Sequence, residues 1–177
     1  MKNDIKEKIF EKYFVNCEKA ELICQELKII RSEFSEYAKQ IDEDRPEIIK
    51  EMRRIRQLFN NKQGLLDFGF ANFDEFYNWY LQQYEKQKGC CYYCKTEESI
   101  LAELFEKKYT SVKRPNRGKH LEVERRDSIS NKYTKDNCVL ACYFCNNDKS
   151  DIFTESEYFE YLKERKLFFI KQLESLK

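Results

Sequence analysis

Eight cysteines stand in 177 residues, and four of them form two CxxC pairs, Cys91-Tyr-Tyr-Cys94 and Cys142-Tyr-Phe-Cys145. Two residues between cysteines let both thiolates turn onto one ion, and two such knuckles complete a tetrahedral site for Zn²⁺. Four thiolates leave no open coordination place, so the zinc is expected to be structural. An iron–sulfur cluster is the other group that four cysteines hold. Cys90 adjoins the first knuckle, but a 90/94 pairing would put three residues between the ligands, so Cys91 is the better ligand. Cys138 sits in the apolar run Cys138-Val-Leu-Ala141 and reads as a core thiol. Cys17 and Cys24 read as packing residues of helices.

The chain between the knuckles must bring them together. His120-Leu-Glu-Val-Glu-Arg-Arg-Asp127 alternates in character and suits a strand, with His120, Glu122 and Glu124 on one face and Leu121 and Val123 on the other. Asn137 to Cys142 reads as a second strand, buried through Val139, Leu140 and Ala141. After Cys145, Asn-Asn-Asp-Lys-Ser opens a helix. A β-hairpin followed by a helix, stapled by zinc where the second strand meets the helix, is implied.

Leu121–Asp151, with Glu124-Arg125, Tyr133, Asn137-Cys-Val-Leu-Ala-Cys142 and Cys145-Asn-Asn-Asp-Lys149-Ser, resembles the zinc-ribbon branch of the HNH endonucleases. Gly89-Cys-Cys91-Tyr-Tyr-Cys94 resembles the first knuckle of that branch, so the likeness spans roughly residues 89 to 152. It implies a ββα-metal finger that hydrolyses DNA phosphodiesters with one divalent cation, Mg²⁺ or Mn²⁺. It also implies roles. Asn137 falls on the asparagine that braces the hairpin loop, and Asn146 on a ligand of the cation. Glu124-Arg125 fall where most members carry Asp-His, a carboxylate for the cation and an imidazole to activate water. Glu124 can bind the cation with Asn146, but Arg125 cannot be a general base because its pKa lies above ~12.

Acid–base help then needs His120, Asp127 or Tyr133. His120 is the sole histidine, yet four residues of extended strand separate it from Glu124 by ~13 Å. Two arrangements stay open: His120 with Glu122 in a shifted register, or Glu124, Asp127 and Asn146 without an imidazole. Arg125 or Arg126 could offset phosphate charge in the transition state. Lys107, Lys108, Lys113, Arg114, Arg117 and Lys119 have no acid among them, and with Pro115, Asn116 and Gly118 they form a basic loop suited to backbone phosphates. No stretch resembles a base-reading recognition helix.

The remaining elements are helical. Few glycines and prolines, and an apolar 4-3 rhythm through Ile9, Tyr13, Ala20, Ile23, Leu27, Ile30, Phe34, Tyr37 and Ile41, predict a long helix with a heptad seam. Pro46 opens a second helix with Ile48, Met52, Ile55 and Phe59. Residues 1–63 thus read as a helical hairpin closing on itself, or as a coiled-coil arm for a homodimer or another protein. Acids and bases balance over this arm, which makes it a poor nucleic-acid grip. Residues 64–177 read as the nuclease domain. Asn72 caps an aromatic helix, Thr96 caps another, and a Thr154/Glu157 capping box opens a C-terminal helix over 154–176.

The expected class is mostly α with a small zinc-stapled ββα finger. With 33 basic against 32 acidic side chains, bulk charge does not explain DNA binding. No apolar run reaches the ~20 residues of a membrane span, and the first residues lack a secretion signal, so a cytoplasmic place is expected. The rival readings are a zinc-dependent DNA-binding or assembly module with decayed catalytic residues, and a coiled-coil scaffold.

Overall fold

In the computed structural model, which describes residues 2–16, 18–65, 67–109, 117–162 and 165–175, the N-terminal apolar rhythm is spent on several short helices. Helix α1 (Lys2–Ile9) runs into a π-helical turn (Phe10–Val15), and α2 (Ala20–Leu27), α3 (Arg31–Asp44) and α4 (Pro46–Lys62) follow. The one long helix expected through Ile9 to Ile41 is therefore corrected to several shorter ones. Lys28 ends α2 in the left-handed region at φ 55°. The Ile30 N–H then donates to Glu33 at 2.9 Å and restarts the chain as α3. Ile9, Phe14, Ala20, Ile23, Phe34, Ile41, Ile49 and Met52 share one core. A 4-3 spacing marks the buried face of any helix and does not name its partner; here the partner is the same chain.

The chain divides into two compact units, Met1–Asn61 with Ala71–Tyr77, and Lys62–Phe70 with Asn78–Lys177. There is no single break near residue 63. Residues 71–77 belong to the first unit because Phe73 and Phe76 pack their rings 5.9 and 5.6 Å from that of Phe59. Helix α5 (Phe73–Lys86) begins where the Asn72 side chain accepts the Glu75 N–H at 2.9 Å.

The second unit holds α6 (Glu98–Lys107), β1 (Glu122–Arg125), β2 (Cys138–Ala141), α7 (Tyr143–Lys149), α8 (Glu155–Tyr161) and α9 (Arg165–Glu174). β1 and β2 are antiparallel, pairing Glu122 with Ala141 and Arg125 with Cys138. All four residues of β2 are buried. Gly118 precedes the hairpin at φ +96°, and a Cβ there would lie 2.3 Å from the Phe105 ring, so glycine is required.

The expected C-terminal helix over 154–176 is corrected to two, α8 and α9. Residues 163 and 164 lie outside the described set, as do Cys17, Leu176 and the side chains of Phe168 and Phe169. α8 opens with the Thr154/Glu157 capping box and buries Tyr158, whose ring stands edge-on to that of Tyr93 at 5.1 Å. The chain is thus mostly helical with a small ββα finger, and no described helix is long and apolar enough to cross a membrane.

Ile49 is fully buried in the first core. Ile49→Ala is expected to destabilise the chain by about 3 kcal/mol through lost burial and the cavity left behind, read by urea unfolding.

Candidate functional site

The sulfurs of Cys91, Cys94, Cys142 and Cys145 all lie within 4.8 Å of one another, and all four residues are buried. Four sulfurs bonded at ~2.3 Å to one tetrahedral ion stand ~3.8 Å apart, and Cys94 Sγ lies 3.9 Å from Cys142 Sγ. The donor set therefore fits a metal ion. Backbone amides support the sulfurs: Cys142 N–H donates to Cys91 Sγ at 3.2 Å and Cys145 N–H to Cys142 Sγ at 3.4 Å. Thr96 does not cap α6, whose N-cap is Glu97; its hydroxyl stands 3.2 Å from Cys94 Sγ and donates once that sulfur is a thiolate. Hydrogen bonds from Cys142, Cys145 and Cys91 hold the Cys94 thiol well below the usual range, whereas the same neighbours push Cys142 up. Sulfurs this crowded cannot all ionise without a cation among them.

The cluster ties the knuckle at 91–94 to the junction of β2 and α7, and so lays α7 along β1. Side-chain period two puts Glu122 and Glu124 on one face of β1. Each meets a residue of α7. Asn146 Nδ2 donates to Glu122 at 2.5 Å, and the Lys149 ammonium lies 3.8 Å from Glu124 Oε1. Arg117 also bonds Glu122, at 3.0 Å through Nε, and reaches Asn147 at 3.5 Å. Its guanidinium lies over the Tyr143 ring at 4.8 Å.

Glu124 differs sharply from Glu122. It is 4% exposed, and Oε1 has no hydrogen-bond partner among the described residues. Burial pushes its carboxyl up to about 7, against the pull of the Lys149, Arg125 and Lys62 cations. Burial likewise lowers the Lys149 ammonium, with Glu124 opposing. Lys149, fully buried, spends its protons on Ser128 Oγ at 2.7 Å and Arg125 O at 3.2 Å.

The other sequence-derived candidates are dispersed. His120 is not on this seam: its Nδ1 lies 2.6 Å from Glu98 Oε1 on α6. Asp127 caps the hairpin turn, accepting from Ile129 N–H at 3.0 Å and Ser130 N–H at 3.3 Å, and these bonds lower its pKa. Asn137 spans the same loop: its Oδ1 accepts from Asp127 N–H at 2.8 Å, and its Nδ2 donates to Asp127 O and Lys132 O, both at 2.9 Å. Arg125 lies over the Tyr133 ring at 5.0 Å and donates to Asn131.

Arg126 is held by Glu155 through two bonds of 2.7 Å, which raise its pKa. Arg117 is likewise paired, with Glu122. Each guanidinium suggested as a phosphate contact thus already has a carboxylate partner. Lys119 is half-buried, and Lys113 and Arg114 lie outside the described residues. The Cys138 thiol is buried and pushed up to about 12 by that burial, as a core thiol is.

Sequence reasoning passed over Lys149 and underweighted Glu122. The signal for Lys149 was its place three residues after Asn146, which puts both on one helix face. Nothing local marked Glu98 or Thr96, whose partners arrive through the fold.

No known family profile matches the chain, and no curated protein matches it. Among solved structures, the chain is similar to the rare-cutting HNH restriction endonuclease PacI, whose structure is described as showing a mechanism of DNA perturbation. The identity is 24%, the TM-score 0.50, and the match covers 68% of this chain and 77% of that one. The likeness establishes the fold, a ββα finger set among helices, as one shared with that endonuclease.

Two outcomes follow from the geometry. Thr96→Val is expected to weaken metal binding by the cysteine cluster about tenfold, measured by competition with a chromophoric chelator. The second concerns Glu124, whose folded pKa of about 7 stands above the ordinary 4.5. Between those values the folded chain binds more protons than the unfolded one, so this group's contribution falls as pH rises from 4.5 through 7 and levels off above. The difference in unfolding free energy between the parent and Glu124→Gln should therefore drift by about 3 kcal/mol across that window. A flat difference would show that Glu124 is solvated.

Proposed function

We propose that the chain is a metal-dependent DNA endonuclease that hydrolyses phosphodiester bonds at the seam between β1 and α7. The observation that carries this reading is Glu124 Oε1, a buried carboxylate oxygen without a hydrogen bond, on a finger whose helix presents Asn146 to the same strand. Both oxygens of Glu122 are committed to Arg117 and Asn146. Glu124 is therefore the open donor. Glu124 and Asn146 would hold Mg²⁺ or Mn²⁺, hard cations that take oxygen ligands, while Zn²⁺ fills the cysteine cluster. When bound, the catalytic cation stabilises charge on the phosphate and makes a water more acidic.

The chain's own groups set the stage for that chemistry. Glu122 fixes the Asn146 amide. Arg117, between Glu122 and Asn147, adds positive charge at the open side of the seam. Asn137 keeps the hairpin loop closed, so the end of β1 is held still. His120, bound to Glu98, serves as a surface residue on this reading and not as the base. The likeness to an HNH restriction endonuclease supports DNA as the substrate, and a cytoplasmic place suits such work.

The Lys149 ammonium near Glu124 favours a second reading, in which a cation of the protein itself has taken the place of the metal. The finger would then be a zinc-dependent DNA-binding or assembly module with decayed chemistry.

Supercoiled plasmid separates the two. Zinc-loaded protein with Mg²⁺ or Mn²⁺ is expected to convert it to open-circle or linear DNA, and EDTA to prevent this. Glu124→Gln and Asn146→Ala should each lose about a hundredfold or more, while His120→Ala stays within about threefold. Intact plasmid with every metal, from folded protein, selects the decayed module. A large loss in His120→Ala beside a small one in Glu124→Gln selects the shifted register.

A further inference from the structure

Behind the first knuckle lies a groove of about 500 Å³. Four separate parts of the second unit converge on it: the end of α5 with Lys86 and Lys88, the knuckle turn with Lys95, the residue after β1, Arg126, and the hairpin loop with Lys135. Asp136 is the one carboxylate among the lining residues. All four lysines are exposed.

The floor of the groove is built, not left over. Gln87 closes the outer edge of β2, accepting the Leu140 N–H at 3.0 Å and donating to Leu140 O at 2.8 Å. Tyr92 donates its N–H to the same Leu140 O at 2.9 Å. The Tyr92 ring holds the Lys95 ammonium at 4.8 Å and the Arg126 guanidinium at 5.8 Å. A strand edge that would otherwise invite another strand is thus covered, and the cover is cationic. Two of the lysines occupy left-handed backbone, Lys88 at φ 55° and Lys95 at φ 59°. In each case the strained turn places an ammonium at the groove.

We infer that this groove is a second phosphate track, which grips the sugar–phosphate backbone of DNA away from the hairpin–helix seam. The inference deepens the nuclease reading by saying where substrate lies beyond the scissile bond. A surface with near-zero net charge overall gains a polyanion site only by gathering its cations, and here four lysines and an ion-paired arginine gather, with Asp136 the one carboxylate among the lining residues. Arg126 is already balanced by Glu155, so the grip falls on Lys86, Lys88 and Lys95. Each phosphate that a lysine neutralises releases counterions, which makes the contact legible in the salt dependence of binding.

The test is fluorescence anisotropy of a labelled 30-base-pair duplex with the full chain, without a catalytic cation, over a range of salt. Lys86→Gln/Lys88→Gln/Lys95→Gln removes three charges and keeps a Cβ at each position, so the backbone strain is unchanged. It is expected to weaken binding at least tenfold at low salt and to reduce the slope of log affinity against log salt by about 2 to 3. Lys86→Gln alone, on an exposed helix, should reduce it by about 1. Lys8→Gln/Lys39→Gln/Lys50→Gln, an equal loss of charge in the first unit, should leave the slope in place. Equal losses in both triple variants, or an unchanged slope in the groove variant, overturn the track. So does a parent chain that binds no duplex. Cleavage by the parent with an unchanged groove slope would sink the track and spare the nuclease. A groove-dependent slope without cleavage under any metal would do the reverse.

Discussion

Four sulfurs within 4.8 Å of one another are the constraint on which the second unit depends. Two four-residue strands make a hairpin that is marginal alone in water. α7, at seven residues, is too short to hold by its own propensity. The cysteine cluster joins these pieces to the knuckle at 91–94, and a metal ion held there would make their geometry a matter of bond lengths. Because Cys142 and Cys145 begin α7, the direction of the helix is set at its first turn. Asn146 and Lys149 then fall against Glu122 and Glu124 without further instruction. Backbone bonds follow the metal: Tyr92 N–H to Leu140 O on one side, and Arg126 N–H to Asn137 O at 2.7 Å at the far end of the hairpin.

That placement has an electrostatic cost, concentrated at Glu124 and Lys149. Both are removed from water, and the two charged groups stand 3.8 Å apart without a direct hydrogen bond. Desolvation of such a pair can exceed its attraction. The structure offsets part of this through Ser128 and Arg125 O, which accept the Lys149 protons. Nothing comparable is provided for Glu124 Oε1. An unsatisfied buried carboxylate is a poor device for stability and a good one for holding a cation, and its strained state links the fold to the proposed chemistry.

The legible part of the molecule was the part written in short range. CxxC spacing named four cysteines that the fold brings together, alternation named a hairpin, and Asn72 and Thr154 marked helix starts that the structure keeps. The illegible part lay in partners. Of the heptad rhythm from Ile9 to Ile41, Ile9, Ala20, Ile23, Phe34 and Ile41 are buried while Tyr13 and Ile30 are exposed; Lys28 in left-handed backbone broke the helix, and the buried members closed on their own chain. Thr96 looked like a helix cap, and the fold gave its hydroxyl to a cysteine sulfur. His120, the sole imidazole, stood as one of several candidate bases, and the fold sets it against Glu98, a partner that no local pattern marked. Arg117 and Arg126 read as phosphate contacts, and each has a carboxylate supplied by another element.

The account rests on two distinct metal sites of opposite character, one soft and closed, one hard and open. Anomalous diffraction from a crystal soaked in Mn²⁺, recorded at the zinc and manganese edges, tests that claim most directly. The account predicts a zinc peak at the centre of Cys91, Cys94, Cys142 and Cys145, and a manganese peak between Glu124 and Asn146. A manganese peak beside His120 and Glu122, or none at the hairpin–helix seam, would contradict it.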